Sequence, residues 1–585
     1  MLQQLQTKHQ PVGQFEDTRF EKIHNVTFKS SLEASILVAQ EIADLIKLKQ
    51  QENKNFILGL ATGSSPIRVY EELVRMHKED GLSFENVITF NLDEYFPMDK
   101  NNIQSYFYFM HEHLFNHVNI LPENINIPKG TVSIDNLYQY CIDYEMKIKA
   151  VGGLDFQLLG IGRTGHIGFN EPGSHFNSGT RIITLNHITR SDAASSFLGI
   201  ENVPRKAITM GIGTVRDAKR IVLLAWGANK NKIIKETIEG EISATVPATY
   251  LQQHSNTTFI LDEAASSELT RVKTPWLVKS CIWHDVLKLK SVTWLSTLLS
   301  KPILKLTDKD YNDNGMSGLL TEEGTAYDLN IKMFNKLQNT ITGWPGGKPF
   351  ADDFNRPERA KLSTKRVIIF SPHPDDDVIS MGGTFDRLVA QGHEVHIAYQ
   401  TSGNIAVSDE EALKFAEISK GFNSDSKKIN GIIEFIKNKK GNDVVDSIDV
   451  RKLKGSIRKS ESLAATRYLN LPDKNVHFLN LPFYETGTIK KGHLSKDDVT
   501  AMIRIIDKVK PHQIYAAGDL ADPHGTHKVC LDALFAALDE IKDEKEYMKD
   551  CWVWLYRGAW HEWDSHEIEM AVPMSPDQVL RKRHA

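Results

Sequence analysis

The sequence predicts an α/β protein: two Rossmann-like parallel-sheet domains joined by a helical linker region. Three observations carry this reading. Short β-type runs alternate with helical stretches through the first half, a second alternating block begins near Lys365, and helical, tryptophan-rich text lies between them. Such alternation implies parallel strands with helices packed on both faces of the sheet. The expected division is 1–265, a connector and linker at 266–360, and 361–585.

The first element, "NFILGLATG" (55–63), is a buried strand entering a glycine turn. The helix after it has Ser65 as its expected N-cap, Pro66 at the first helical position, and Tyr70, Leu73 and Val74 on one face. "NVITFNLDEYF" (86–96), "LDFQLLGIG" (154–162) and "RIVLLAWG" (220–227) read as further strands. "TGWPGGKPFADDFNRPERAK" (342–361) is dense in Gly, Pro and charge and reads as a linker. Beyond it, "RVIIFSPHP", "HEVHIAYQTSG", "NVHFLNLP" and "HQIYAAGD" are strand signals, while "GGTFDRLVAQG" and "HGTHKVCLDALFAALDEI" are helical.

A chain of 585 residues exceeds what one hydrophobic core serves. Its 41% hydrophobic and 25% charged content is that of a soluble globular protein. The net charge of −5 gives no electrostatic reason for a nucleic-acid or membrane partner. No apolar run approaches the ~18 residues of a spanning helix. Four cysteines, far apart and without CxxC, fit a reducing cytoplasm and exclude a thiolate zinc site. The polar N-terminus reads as neither signal nor transit peptide. The abrupt stop at "VLRKRHA" reads as a truncated C-terminus.

"SPHPDDDVISMGGT" (371–384) places charge at a strand exit, where open α/β sheets collect functional groups. His373 and Asp376 have i, i+3 spacing, and imidazole with carboxylate suits zinc or another divalent metal. "DPHGTHKVC" (522–530) offers the third ligand, with His524 and His527 one turn apart: one to ligate, the other to face substrate. Asp375 is placed as general base on a water whose pKa the metal lowers toward ~7. The competing reading, an acidic turn and an ordinary histidine, does not explain both motifs at two strand exits.

With "PHPDDD", "IRKSESLAA", "HFLNLPFYETG" and "PHGTHKV" in place, residues 365–560 resemble the LmbE-like (PIG-L) family of zinc-dependent N-acetyl-sugar deacetylases. The resemblance implies His373, Asp376 and His527 as zinc ligands and Asp375 as base. It implies His524 as the stabiliser of the oxyanion and Arg458 as a substrate contact. The family motif ends in Glu; here Asp377 stands there, expected behind the ligands.

In the first block, Thr62, Gly63, Ser64 and Ser65 lie between a strand and a helix N-terminus, a place that favours phosphate. This turn lacks the P-loop lysine and the GxGxxG spacing. Asp93 and Glu94 end the next strand, and "GIGRTGHIGFNEP" adds His166 and Glu171. A carboxylate beside an imidazole–carboxylate pair suits proton transfers on a sugar; the bland alternative is that Asp93 and Glu94 cap a helix. "TGSSP", "VITFNLDEY", "GHIGFNEPGS", "TRIITL", "VPRKAITMGIGT" and "GANKNKII" make residues 30–265 resemble glucosamine-6-phosphate deaminases. That resemblance implies Asp93 as the C2 base, His166 with Glu171 as the ring opener, and Gly63, Ser64, Ser65 and Lys230 as phosphate holders, with no cofactor. Two departures stand out. Thr164 occupies a position usually held by Asp, and Ser195 or Ser196 falls where the family has an arginine, with Arg190 the nearby replacement.

The expectation is a bifunctional cytoplasmic enzyme of amino-sugar phosphate metabolism. It would act on small-molecule amino-sugar phosphates, and the deaminase resemblance hints at a homo-oligomer. The alternatives are a non-catalytic sugar-phosphate sensor that regulates the deacetylase, a lactonase-like first domain, and a scaffold in which both sites have drifted.

Overall fold

In the computed structural model the chain divides into two compact units, Met1–Ile282 and Trp283–Ala585. The structure describes residues 16–194, 196–197, 199–348, 364–422, 426–439, 445–486, 491–520, 522 and 525–585. The division falls inside the expected connector: its first part closes the first unit, and its helices from Asp285–Leu298 onward open the second.

The first unit is built on a seven-stranded parallel sheet. Its strands are β1 (His24–Phe28), β2 (Phe56–Leu60), β3 (Val87–Asn91), β5 (Ile125–Asn126), β6 (Phe156–Gly160), β9 (Ile221–Ala225) and β10 (Thr257–Asp262), in the order β1-β10-β9-β6-β2-β3-β5. β4 (Asp93–Phe96), β7 (Arg181–Thr184) and β8 (Lys206–Thr209) form a small antiparallel sheet in the order β4-β8-β7. β2, β9 and most of β6 are buried on both faces, as parallel strands sandwiched by helices must be. One apolar layer includes Leu159, Ile212 and Leu223, the other Val38, Ile42, Leu58 and Phe156.

Two expectations change here. The run 86–96 is not one strand. The chain leaves the large sheet after Asn91 and joins the small one at Asp93, and Leu92 bridges them by donating its N–H to Leu60 O (3.1 Å) and accepting from Met210 N (2.7 Å). A continuous apolar run cannot reveal such a change of hydrogen-bond partner. Ser65 does not cap the helix Ile67–Asp80: Pro66 is the N-cap, no side chain accepts from the first turn, and the Ser65 carbonyl accepts from Trp226 Nε1 (3.0 Å).

The second unit carries a five-stranded parallel sheet of β11 (Arg366–Ser371), β12 (Glu394–Tyr399), β13 (Val476–Phe478), β14 (Gln513–Ala517) and β15 (Trp552–Tyr556). Their order is β13-β12-β11-β14-β15. Ile368, Phe370 and Ile514 face one layer, Val367, Ile369 and Tyr515 the other. The expected linker is only partly described. Thr342 N donates to Ala571 O (2.9 Å), and the Gly343 carbonyl accepts from Gln391 (2.7 Å), so this stretch is fixed to the unit; residues 349–361 lie outside the described residues. Among the described residues no helix is long and apolar enough to cross a membrane.

Candidate active sites

In each sheet the connection reverses direction once, between β2 and β6 in the first unit and between β11 and β14 in the second. At such a switch point the loops leave to opposite sides and open a crevice at the carboxyl ends of the strands. Both polar clusters lie there.

In the first unit Thr62, Gly63, Ser64, Ser65, Asp93, His166 and Lys230 line one cavity of about 310 Å³. The turn after β2 needs Gly63, whose φ is +96°. β4 places Asp93 beneath Gly168, where a Cβ would come within 3.3 Å of Asp93 Oδ2. Burial, helped by the neighbouring charge of Glu94, pushes the Asp93 carboxyl up to about 8. The two acids point to different tasks. Glu94 accepts from Tyr95 N (2.9 Å), Tyr106 N (3.0 Å) and Phe107 N (3.1 Å), so it anchors the N-terminus of the helix Tyr106–His113. The helix-capping reading therefore holds for Glu94 and not for Asp93.

His166 lies in the loop after β6. Its Nδ1 stands 2.8 Å from Thr164 Oγ1, 3.5 Å from Thr189 Oγ1 and 3.6 Å from Glu171 Oε2. Glu171 does not line the cavity; it backs the imidazole and is pinned by Asn186 N (3.1 Å). Burial opposes its charge, but His166, Thr189 and Asn186 hold its carboxyl below the usual range. Burial lowers the Lys230 ammonium pKa. Arg190 does not reach the cavity: its guanidinium donates to Ile200 O (2.6 Å) and Val203 O (3.3 Å). Ser195 lies outside the described residues. Thr189, Asp192 and the aromatic pair Tyr95–Tyr106 line the cavity without having been singled out from the sequence. Asp192 is bound to Arg163 by an ion pair.

In the second unit His373, Asp376 and His527 meet, with candidate ligand atoms all within 4.8 Å of one another. Asp376 Oδ2 is 3.2 Å from His373 Nδ1 and 3.2 Å from His527 Nε2. His527 Nδ1 lies 2.8 Å from the Asp519 carbonyl, an acceptor only, so Nδ1 carries the proton and Nε2 keeps its lone pair. That buried Nε2 makes no hydrogen bond. Burial opposes charge on Asp376, but the two imidazoles hold its carboxyl well below the usual range. Burial likewise opposes charge on His527, yet Asp376 raises its pKa. Lone pairs facing a carboxylate call for a positive charge between them, so the three side chains fit a divalent metal.

Asp375 accepts from Arg458 Nη2 (2.6 Å), and Arg458 Nη1 donates to Glu461 (2.7 Å). Arg458, expected to touch substrate, is thus committed to the expected base. Asp377 lies behind the triad, as its place in the motif implied. It is pushed up to about 7 by burial, with Tyr399 OH donating to it (3.1 Å) and Ser371 Oγ at 3.2 Å. His524 lies outside the described residues. Asp519 was not singled out: its carbonyl orients His527 while its Oδ2 accepts from Trp560 N (2.6 Å) and His561 N (3.0 Å). Eight residues separate it from His527, a spacing that announces nothing.

Two α/β units, each with a polar crevice at its switch point, define a tandem protein with two separate sites. The glucosamine-6-phosphate isomerase/6-phosphogluconolactonase family model matches residues 30–260, and the GlcNAc-PI de-N-acetylase model matches residues 368–538. A glucosamine-6-phosphate deaminase-like protein of Bacteroides thetaiotaomicron is 52% identical over 99% of this chain and 89% of its own. A glucosamine-6-phosphate deaminase of Thermoanaerobacter sp. strain X514 is 46% identical over 39% of this chain and 90% of its own. A solved monomeric glucosamine-6-phosphate deaminase is 41% identical and covers 42% of this chain and all of its own, with a TM-score of 0.41. The chain belongs to the glucosamine-6-phosphate deaminase-like family, and its residues 368–538 carry a GlcNAc-PI de-N-acetylase domain.

Proposed function

We propose that the chain is a cytoplasmic two-site enzyme of amino-sugar metabolism. One site isomerises glucosamine 6-phosphate and releases ammonia to give fructose 6-phosphate; the other hydrolyses the acetamide of an N-acetylglucosamine derivative. The observation that carries the reading is convergence: residues far apart in sequence meet at each switch point in the arrangement its chemistry needs.

In the first site, Asp93 takes the proton from C2 of the open-chain sugar. A carboxyl pushed up to about 8 is a base matched to neutral pH. His166 moves the proton that opens the ring, and Glu171 holds its imidazole in place. The turn 62–65 and Lys230 take the phosphate. In the second site, His373, Asp376 and His527 would hold zinc or another divalent metal, which when bound polarises the acetamide carbonyl and acidifies a water. Asp375 receives the proton, aimed by its hydrogen bond from Arg458. His524 takes its expected role at the developing charge on the amide oxygen.

One observation favours a second reading, in which the first site only senses a sugar phosphate. Arg190 is turned away and the acidic Asp192 lines the cavity, so among the described residues Lys230 is the single lysine or arginine on the lining. The test is incubation of the full chain with glucosamine 6-phosphate and with N-acetylglucosamine derivatives, with and without a chelator. Ammonia from the first and chelator-sensitive acetate from the second are the expected products. Binding without ammonia selects the sensor, and acetate release indifferent to chelation overturns the metal site.

A further inference from the structure

We propose that the deacetylase substrate is phosphorylated, and that its phosphate monoester sits in a cationic cavity next to the metal triad; this rests on the deacetylase reading. The cavity, about 580 Å³, lies beyond the carboxyl end of β12 and is lined by Arg451, Lys452, Lys459, Ser402, Phe478 and Glu485. The three cations come from one stripe of the helix Ile448–Tyr468, at spacings that place them on one face.

The neighbouring cations of that helix are already used. Lys454 is buried against Asp409 (2.7 Å) and Asp446 (2.9 Å), and Arg458 holds Asp375 and Glu461. Arg451, Lys452 and Lys459 have no carboxylate partner among the described residues. Arg451 Nη1 donates to the Glu485 carbonyl (3.0 Å), while its Nε is buried and makes no hydrogen bond. Lys459 lies over the Phe478 ring at 4.8 Å. The Glu485 carboxylate on the same lining offsets one of the three charges and is itself held by Ser402 N (3.3 Å) and Asn404 Nδ2 (3.2 Å), so the cations stay in excess. What remains is a cluster of donors suited to a phosphate.

The cavity shares a wall with the metal loop. Ser402, on its lining, is followed by Gly403, where a Cβ would come within 2.8 Å of Pro374 Cδ and 3.4 Å of Arg458 Nε. Pro374 lies between His373 and Asp375. The loop that carries Pro374 therefore adjoins the loop that lines the cationic cavity.

The experiment compares acetate release from N-acetylglucosamine 6-phosphate and from N-acetylglucosamine, in the wild type and in R451Q/K452Q/K459Q. The expected result is that the wild type prefers the phosphorylated sugar and that the variant loses this preference about 10- to 100-fold, through KM. Calorimetric titration of the full chain with sorbitol 6-phosphate, which neither site can turn over, should show one equivalent fewer in the variant. K452Q alone, at an exposed position, repeats the test should the triple variant fail to fold. An unchanged preference or an unchanged stoichiometry overturns the proposal. If no substrate releases acetate, the deacetylase reading falls, and the stoichiometry alone decides whether the cavity holds an anion.

Discussion

Asp93 and Asp376 are both buried aspartates beyond the carboxyl end of a parallel strand, each beside its unit's crevice, yet their carboxyls move in opposite directions. Asp93, buried beside another acid and in no ion pair among the described residues, is pushed up to about 8. Asp376, gripped by two imidazoles, is held well below the usual range. Burial acts on both, and the neighbours decide the sign. The first site is arranged to take up a proton near neutral pH, the second to keep a negative charge for a cation.

The largest expected effect tests whether the two sites are separate. His373→Ala should lower acetate release by at least about 10³-fold and leave ammonia release within about twofold, since the triad loses a ligand while the first unit is untouched. Loss of both products would break the comparison. Asp93→Asn should lower ammonia release by about 10³-fold with acetate release intact. It also tests the pKa. A carboxyl raised in the folded state binds its proton more tightly folded than unfolded, so its ionisation costs stability as pH climbs from the ordinary aspartate range through about 8. The variant should therefore melt on the order of 2–5 °C higher than the wild type at pH 9 and no higher at pH 4.

Smaller effects sharpen the contrast between neighbours. Thr164→Asp restores an ionic partner to His166 and should raise ammonia release about tenfold, with no gain in Glu171→Gln. Arg458→Gln frees Asp375 and should lower acetate release about tenfold, because the base is no longer held in one orientation. Glu94→Gln should do least to activity. It weakens the anchor on the helix Tyr106–His113 and costs about 1 kcal/mol in denaturant unfolding.

Most of the architecture was legible. The alternation of apolar runs with amphipathic helices exposed both parallel sheets, because strands covered on two faces must be apolar throughout. His373 and Asp376 were legible because they combine metal-binding side chains with a strand exit; the choice of His527 over His524 as the third came only from the family resemblance. The split of 86–96 into two strands was not, since local sequence does not say which neighbour accepts a strand's hydrogen bonds. Nor was the division of labour between Asp93 and Glu94, adjacent acids that differ only in which face of β4 they occupy.

By itself, the sequence determined the kinds of chemistry available: which strands end in acids and histidines, and which turns are open to a phosphate. Only the tertiary structure decided what each group is for. It turned Arg190 away, bound Arg458 to Asp375, set Asp519 behind His527 and left Arg451 Nε without an acceptor. The reason is physical. Side-chain identity fixes the charge a group can carry, whereas burial and contacts made by distant segments fix the charge it does carry and the atom it faces.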